Sequence, residues 1–226
     1  MKDIIKKLQN STYFSLLTEK EIEKIEVISK SREYPKNSMI FWQNEEIQYG
    51  FTIVTGVVKE FRKYSNNRTK TICYKKDCDM LCNLSYLMPQ KYIVSTQTII
   101  DTTVIYYPMK EFCSIINENH TFMEKLQIET FLRIERTFDE MGDMIFRNLN
   151  GNLARKLIDL ADVFGLKKKN GIQIRIKISQ QELADMLGTN RETICKAMNE
   201  FKDEGSIEVD KKVITIIDKD KLLKWD

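Results

Sequence analysis

The segment Ser179–Lys202, SQQELADMLGTNRETICKAMNEFK, constrains this chain more than any other. Ser179-x-x-Glu182 has the form of a capping box, in which a hydroxyl accepts from the first free backbone N–H groups of a helix. Thr189-x-x-Glu192 repeats the form ten residues later. Helix starts that close leave about two turns for the first helix. Gly188 stands between them, where a helix end favours φ > 0. Leu183, Ala184, Leu187, Ile194 and Met198 are spaced to form the buried face, and the small Ala184 lets the helices approach closely. The pattern predicts a helix-turn-helix. Its second helix opens with Arg191 and Glu192 and carries Lys196 a turn further on, side chains suited to a DNA major groove. An ordinary pair of surface helices would need neither the boxes nor the placed glycine.

Size and charge leave room for this reading without demanding it. At 226 residues the chain can form one domain or two, and 42% hydrophobic residues suffice for real cores. No apolar run approaches the roughly 20 residues of a membrane span. The N-terminal MKDIIKKLQNSTYF has no signal-peptide apolar core, so the expected location is the cytoplasm. Five irregularly spaced cysteines argue against a disulfide framework. The net charge of +3, from 36 basic and 33 acidic residues, is too small to imply a polyanion partner. A DNA argument must rest on where the charges sit.

The rest of the chain changes texture twice. Residues 3–30 are helical in pattern, with TEKEIEKIEVI as an amphipathic segment capped by Thr18. From Tyr34 to Tyr107 short β-branched and aromatic runs dominate: Ser38–Trp42, Gly50–Val54, Val57–Tyr64, Thr69–Tyr74, Ile93–Thr98 and Thr103–Tyr107. Turn signals separate them, among them the expected hairpin at Ser65-Asn66-Asn67-Arg68. Many short strands mean an antiparallel sandwich or barrel, with Asp79–Leu87 expected as a short helix. Pro108 ends the strands, and Met109–Ile116 reads as a helix.

A long helix from Thr121 to about Arg147 follows, with Phe131, Ile134, Phe138, Met141 and Ile145 recurring at 3, 4, 3, 4. That is an a/d seam suited to a twin helix, while Ile128 and Leu132 mark a second apolar face for the chain's own sheet domain. Burial of the whole helix inside one domain is the competing possibility. Three Asn and a Gly in 148–152 predict a break and a hinge. Leu153–Phe164 is a further amphipathic helix and Ile172–Ile178 a strand. Ile207–Val209 and Val213–Ile217 alternate around Asp210-Lys211-Lys212, a small hairpin or wing with lysines at its tip.

The order β-roll, long helix, hinge, winged helix resembles the CRP/FNR superfamily of bacterial transcription regulators, over about residues 10–220. Leu183-Ala-Asp-Met-Leu-Gly-Thr-Asn-Arg-Glu-Thr-Ile is similar to the family's helix-turn-helix signature, with Asn190 where Ser is commonest. The resemblance implies an α+β fold. It comprises an N-terminal antiparallel β-roll, jelly-roll and cyclic-nucleotide-binding-like, over 1–118; a long dimerisation helix over 119–148; and a C-terminal winged helix-turn-helix over 149–226. It implies a homodimer on palindromic double-stranded DNA, with RNA polymerase as a further partner of an activator, no membrane partner and no enzyme activity. Arg191, Glu192 and Lys196 match the family's base readers. The chemistry agrees: Arg can donate twice to guanine and Glu can accept from cytosine N4. Lys196 is a point donor where the family often has Arg. Ser179, Thr189, Asn190, Lys211 and Lys212 would hold phosphates.

The sensing end is less legible. The family's cyclic-nucleotide motif pairs Gly-Glu with a later Arg-Ser. Here Cys82 and Asn83 stand at the first pair, and Tyr92 and Ile93 at the second, beside Lys91. The charged cradle a cyclic phosphate needs is mostly missing. Cys82, Asn83, Lys91 and Tyr92 remain the candidate pocket for an unknown small-molecule effector. The N-terminal cysteine cluster of the iron–sulfur members is absent. Cys73, Cys78, Cys82 and Cys113 match no common metal spacing, so no metal or cofactor is expected. Cys78 and Cys82 are the candidate redox thiols. His120, the single histidine, excludes a multi-His site and is expected at the helix junction as a capping or solvent residue. Aromatics such as Phe41, Trp42, Tyr86 and Tyr107 are expected in the core. Two rival classes remain: an enzyme on a β-barrel, which lacks a nucleophile elbow or phosphate loop, and an effector-independent or protein-binding signalling module.

Overall fold

The computed structural model describes residues 2–9, 11–64, 68–81, 86 and 90–225. The chain forms two compact units, Met1–Ile134 and Glu135–Asp226.

The first unit opens with helices α1 (Lys2–Leu8) and α2 (Glu19–Ile28), joined through a 3-10 turn at Phe14–Leu16. Thr18 caps α2 in a full capping box with Glu21, as its sequence predicts. Among the described residues eight strands follow: β1 (Lys30–Tyr34), β2 (Met39–Phe41), β3 (Tyr49–Thr55), β4 (Val57–Lys63), β5 (Thr69–Lys76), β6 (Met80–Leu81), β7 (Ser95–Thr98) and β8 (Thr102–Pro108). They form two antiparallel four-stranded sheets, ordered β1-β8-β3-β6 and β2-β7-β4-β5. The six expected runs all hold strands. The expected hairpin pairs β4 with β5 down to Lys63↔Thr69, although its tip, 65–67, lies outside the described residues.

Two expectations fail here. The initial helical reading to residue 30 stops at Ile28, and Lys30–Tyr34 pairs with β8 from Lys30↔Tyr106 to Tyr34↔Thr102. This is an edge strand made almost wholly of exposed residues, so it carries no apolar alternation to betray it. The expected helix at 79–87 starts as strand β6, and most of its remainder lies outside the described residues.

Phe41, Phe51, Ile53, Val58, Val94 and Val104 fill one core within the roll. A second core joins it to the helices through Tyr107, Phe112 of α3 (Met109–Ile116) and Phe122 of α4 (His120–Phe146), with the Tyr107 and Phe112 rings stacked 4.2 Å apart. Of the expected core aromatics, Phe41, Tyr86 and Tyr107 are buried, but Trp42 is 50% exposed. Asn119, not His120, caps α4: the Phe122 N–H donates to its Oδ1 at 2.9 Å. Its Nδ2 donates to the Leu16 carbonyl and to Glu21, tying the start of α4 to the N-terminal helices. His120 is exposed.

The second unit continues with α5 (Leu149–Phe164), β9 (Gly165–Lys168), β10 (Gly171–Ile174), α6 (Gln180–Leu187), α7 (Arg191–Asp203), β11 (Ile207–Asp210), β12 (Val213–Ile216) and α8 (Lys219–Leu223). Its sheet runs β11-β12-β10-β9. The Asn-rich stretch is not an open hinge. The helix breaks only at Arg147 and Asn148, and Asn148 Oδ1 accepts the Gly151 N–H at 2.8 Å. Asn150, Gly151 and Asn152 therefore lie in the first turn of α5, because Asn is as good an N-cap as it is a breaker.

Candidate nucleic-acid interface

The local chemistry that the sequence predicts for α6 is present. Ser179 Oγ accepts the Glu182 N–H at 3.2 Å, and Glu182 Oε2 accepts both the Ser179 N–H and its hydroxyl at 2.7 Å. Both Ser179 donors are thus engaged within the box. Gly188 ends the helix in the left-handed region, φ 68° and ψ 26°, and its N–H donates to the Ala184 carbonyl.

The second expected box does not form. Asn190, one residue later than Thr189, is the cap of α7: its Oδ1 accepts the Thr193 N–H at 2.8 Å and the Thr193 hydroxyl at 2.6 Å. Both residue types cap well, and here Asn190 holds the extended backbone (ψ 161°) that a cap requires. The shift leaves Arg191 and Glu192 as the first two helical residues, both exposed.

Leu183 and Ala184 from α6 pack with Ile194, Ala197, Met198 and Phe201 from α7, each at most 2% exposed. Met186 is buried in this set and Leu187 only half-buried, so the expected assignment of Leu187 is off by one. With its apolar side fixed inward, α7 turns Arg191, Glu192 and Lys196 to solvent. Glu192 and Lys196 are one turn apart. Arg191 instead lines a groove of about 600 Å³ with Ser179, Gln180, Lys202 and Lys212. A predicted base reader, Arg191, and two predicted phosphate contacts, Ser179 and Lys212, thus share one concavity.

The wing forms as expected, with β11 and β12 paired from Ile207↔Ile216 to Asp210↔Val213. Lys211 (φ 45°) and Lys212 (φ 71°) make its turn, both left-handed and both exposed.

Along α4 the seam residues are solvent-facing. Phe131 is 70% exposed, Phe138 67% and Ile145 71%, with Ile134 and Met141 near half. Ile128 and Leu132 are also exposed, so they do not form the expected second face against the roll. Phe122 and Leu126, earlier on the helix, do that packing instead.

Of the four residues of the predicted effector pocket, only Lys91 and Tyr92 are described. Cys82 and Asn83 lie outside the described residues. Lys91 is exposed, whereas Tyr92 is 5% exposed, stacked 4.0 Å from Phe41, with its hydroxyl donating to the Tyr49 carbonyl. Cys78 is half-buried in a left-handed conformation (φ 71°), and burial, then Asp77 and Asp79, pushes its thiol above the ordinary range. That makes it a poorer thiolate, not an activated one. Among the described residues no group of three His, Cys, Asp or Glu side chains could hold a metal. None of their helices is long and apolar enough to cross a membrane. A side chain missed in the sequence is Glu60, 1% exposed inside the roll, whose Oε2 accepts the Cys73 thiol at 3.2 Å.

Comparison with known proteins agrees with this architecture. Residues 31–119 match the cyclic nucleotide-binding domain family, and residues 152–225 the Crp-like helix-turn-helix domain family. A CRP-like cAMP-activated global transcriptional regulator of Mycobacterium tuberculosis is 26% identical over 85% of this chain and 86% of its own length. The cAMP-activated global transcriptional regulator CRP of Escherichia coli O157:H7 is 25% identical over 81% and 87%. Among solved structures, FixK2 from Bradyrhizobium japonicum has the same fold, with a TM-score of 0.75 over 88% of this chain and 98% of that one at 18% identity. With both domain families matched in the order roll, long helix, winged helix-turn-helix, the chain belongs to the CRP/FNR superfamily, whose members are transcription regulators and not enzymes.

Proposed function

We propose that this protein is a homodimeric, sequence-specific regulator that reads a palindromic DNA site under the control of a signal received by the roll. The observation that carries the reading is the capped pair α6 and α7, which turns Arg191, Glu192 and Lys196 to solvent, with Arg191 in one groove with Lys212 of the wing. Arg191 would donate twice to a guanine and Glu192 accept from a cytosine, while Lys196 would contact a base edge or phosphate. Lys211, Lys212, Thr189 and Asn190 would hold backbone phosphates. Ser179 serves the cap first, since Glu182 engages both its donors.

Two chains would join through Phe131, Ile134, Phe138, Met141 and Ile145, apolar side chains whose exposure has no explanation within a monomer. A working division is roll 1–118, dimer helix 119–148 and DNA head 149–226, acting in the cytoplasm. A population shift between two head arrangements would transmit the signal. An activator would also meet RNA polymerase. The effector differs from cAMP in this reading. Lys91 is exposed, Tyr92 is engaged in the core, and a carboxylate occupies the roll interior, so among the described residues the roll presents little to a cyclic phosphate.

The test is Arg191→Ala against duplexes varied one base pair at a time. Discrimination at one G·C pair in each half-site should fall by about 1–3 kcal/mol with other positions unchanged. Uniform weakening across all duplexes would make Arg191 a phosphate contact instead.

A further inference from the structure

The β4–β5 hairpin concentrates positive charge that the DNA head does not account for. Residues 57–76 hold seven Lys or Arg and one acid, a net charge of +6, whereas the whole chain carries only +3. The remainder of the molecule is therefore net acidic. The one acid, Glu60, is 1% exposed, so the accessible face of the hairpin is basic. Arg62, Lys63 and Arg68, around the hairpin end, are all exposed. Like charges gathered this way repel one another, and a polyanion relieves that repulsion.

Two aromatic rings stand among these cations. Tyr64 follows β4 directly, and its N–H donates to the Arg68 carbonyl at 2.8 Å where the hairpin closes. The Arg62 guanidinium lies 5.8 Å from the centre of the Tyr64 ring. Trp42 follows β2 directly. Its neighbour Gln43 accepts the Lys63 N–H at Oε1 (2.9 Å) and donates its own backbone N–H to Ser95 Oγ of β7 (2.9 Å). Gln43 thus ties the ends of β2, β7 and β4 into one rim. Trp42 and Tyr64 are each one residue from the Gln43–Lys63 bond, and each is 50% exposed. Glu45, on the same loop, is turned back onto the chain, where its Oε2 accepts the Trp42 N–H at 2.9 Å.

Phosphates need cations and unstacked bases need ring faces, and this rim offers both. An acidic peptide would use the cations and leave the rings idle. A duplex keeps its bases stacked on one another and has none to place on a ring. A guanidinium packed against a ring keeps its N–H edge for a phosphate. We propose that this rim of the roll is a second nucleic-acid site whose ligand is a single strand: bases stack on Trp42 and Tyr64 while Arg62, Lys63 and Arg68 hold phosphates. The inference does not rest on the DNA reading of α7.

The test is the anisotropy of fluorescein-labelled oligothymidine titrated with the full-length protein. Arg191→Ala, Lys211→Gln and Lys212→Gln together disable the DNA head, and binding should persist in that background. Adding Trp42→Ala with Tyr64→Ala should weaken it about tenfold or more. Adding Arg62→Gln with Arg68→Gln instead should lower the slope of log affinity against log salt by about 1.4. Tryptophan emission should quench on saturation, and Trp42→Phe should abolish the quenching while keeping most of the affinity. That conservative variant keeps the test open where the double alanine variant does not fold.

Loss of binding with the head disabled would place the oligonucleotide on the head and overturn the proposal. Full affinity without the two rings, or unquenched emission, would do the same. So would the absence of oligothymidine binding, including the case where phosphatidylserine vesicles or polyglutamate bind in its place. A duplex selection that enriches nothing would sink the DNA reading and leave the oligothymidine result to stand on its own.

Discussion

Two lysines form the tip of the wing in a backbone conformation that suits glycine. A non-glycine residue in the left-handed region costs about 1 kcal/mol, and Lys211 and Lys212 both adopt it, with φ of 45° and 71°. A turn selected for stability alone would hold Asn-Gly. Lys212→Gly should therefore stabilise folding by about 1 kcal/mol in chemical denaturation, weaken every duplex alike, and reduce the salt slope of binding by about 1. The opposite sign of the two effects separates a functional lysine from a tolerated one.

Cys73 carries the second residue-scale prediction. Burial, then the Glu60 carboxylate, pushes its thiol from 9.0 up to about 12. A folded-state pKa above the unfolded one gives stability that is complete below pH 9 and is lost as pH rises toward 12. Denaturation midpoints should fall across that window, and Cys73→Ser should make the fall shallower. The Ser179 box and Gly188 were legible in the sequence because a cap and a left-handed stop are local events. Thr189 and Asn190 were not separable, since both residue types cap and only the backbone at 190 decides between them.

At the scale of elements, periodicity located what it could see. Strands with a buried face announced themselves by alternation, and α3 by its helical spacing after Pro108. The edge strand β1 did not, because its stability comes from the ladder with β8 rather than from side chains of its own. The start of α5 was misplaced by the double meaning of Asn. Glu60 is not legible in the sequence because a lone Glu in a strand reads as a solvent residue until β5 and β7 are placed beside it. The seam of α4 was legible as a spacing of 3 and 4, and its residues are exposed. Phe138, 67% exposed, should tolerate charge in a monomer. Phe138→Glu should fold with unchanged helix content but sediment at half the wild-type mass, because two like charges would meet across the twin helices. A wild-type protein that already sediments as a monomer would contradict the seam.

The whole molecule joins a legible helix-turn-helix to a roll that does not declare a ligand chemistry. The head depends on contiguous sequence, so single residues could be given roles. The roll depends on strands distant in sequence converging, and its family motif is replaced at Cys82, Asn83 and Tyr92. The central claim is that two such heads read one symmetric site. Repeated selection of the full-length protein on a pool of randomised duplex DNA, with and without cell extract, tests it most directly. The account predicts enrichment of a two-fold symmetric sequence with half-sites about one helical turn apart and a G·C pair that Arg191→Ala no longer selects. A pool that stays random under both conditions would contradict it.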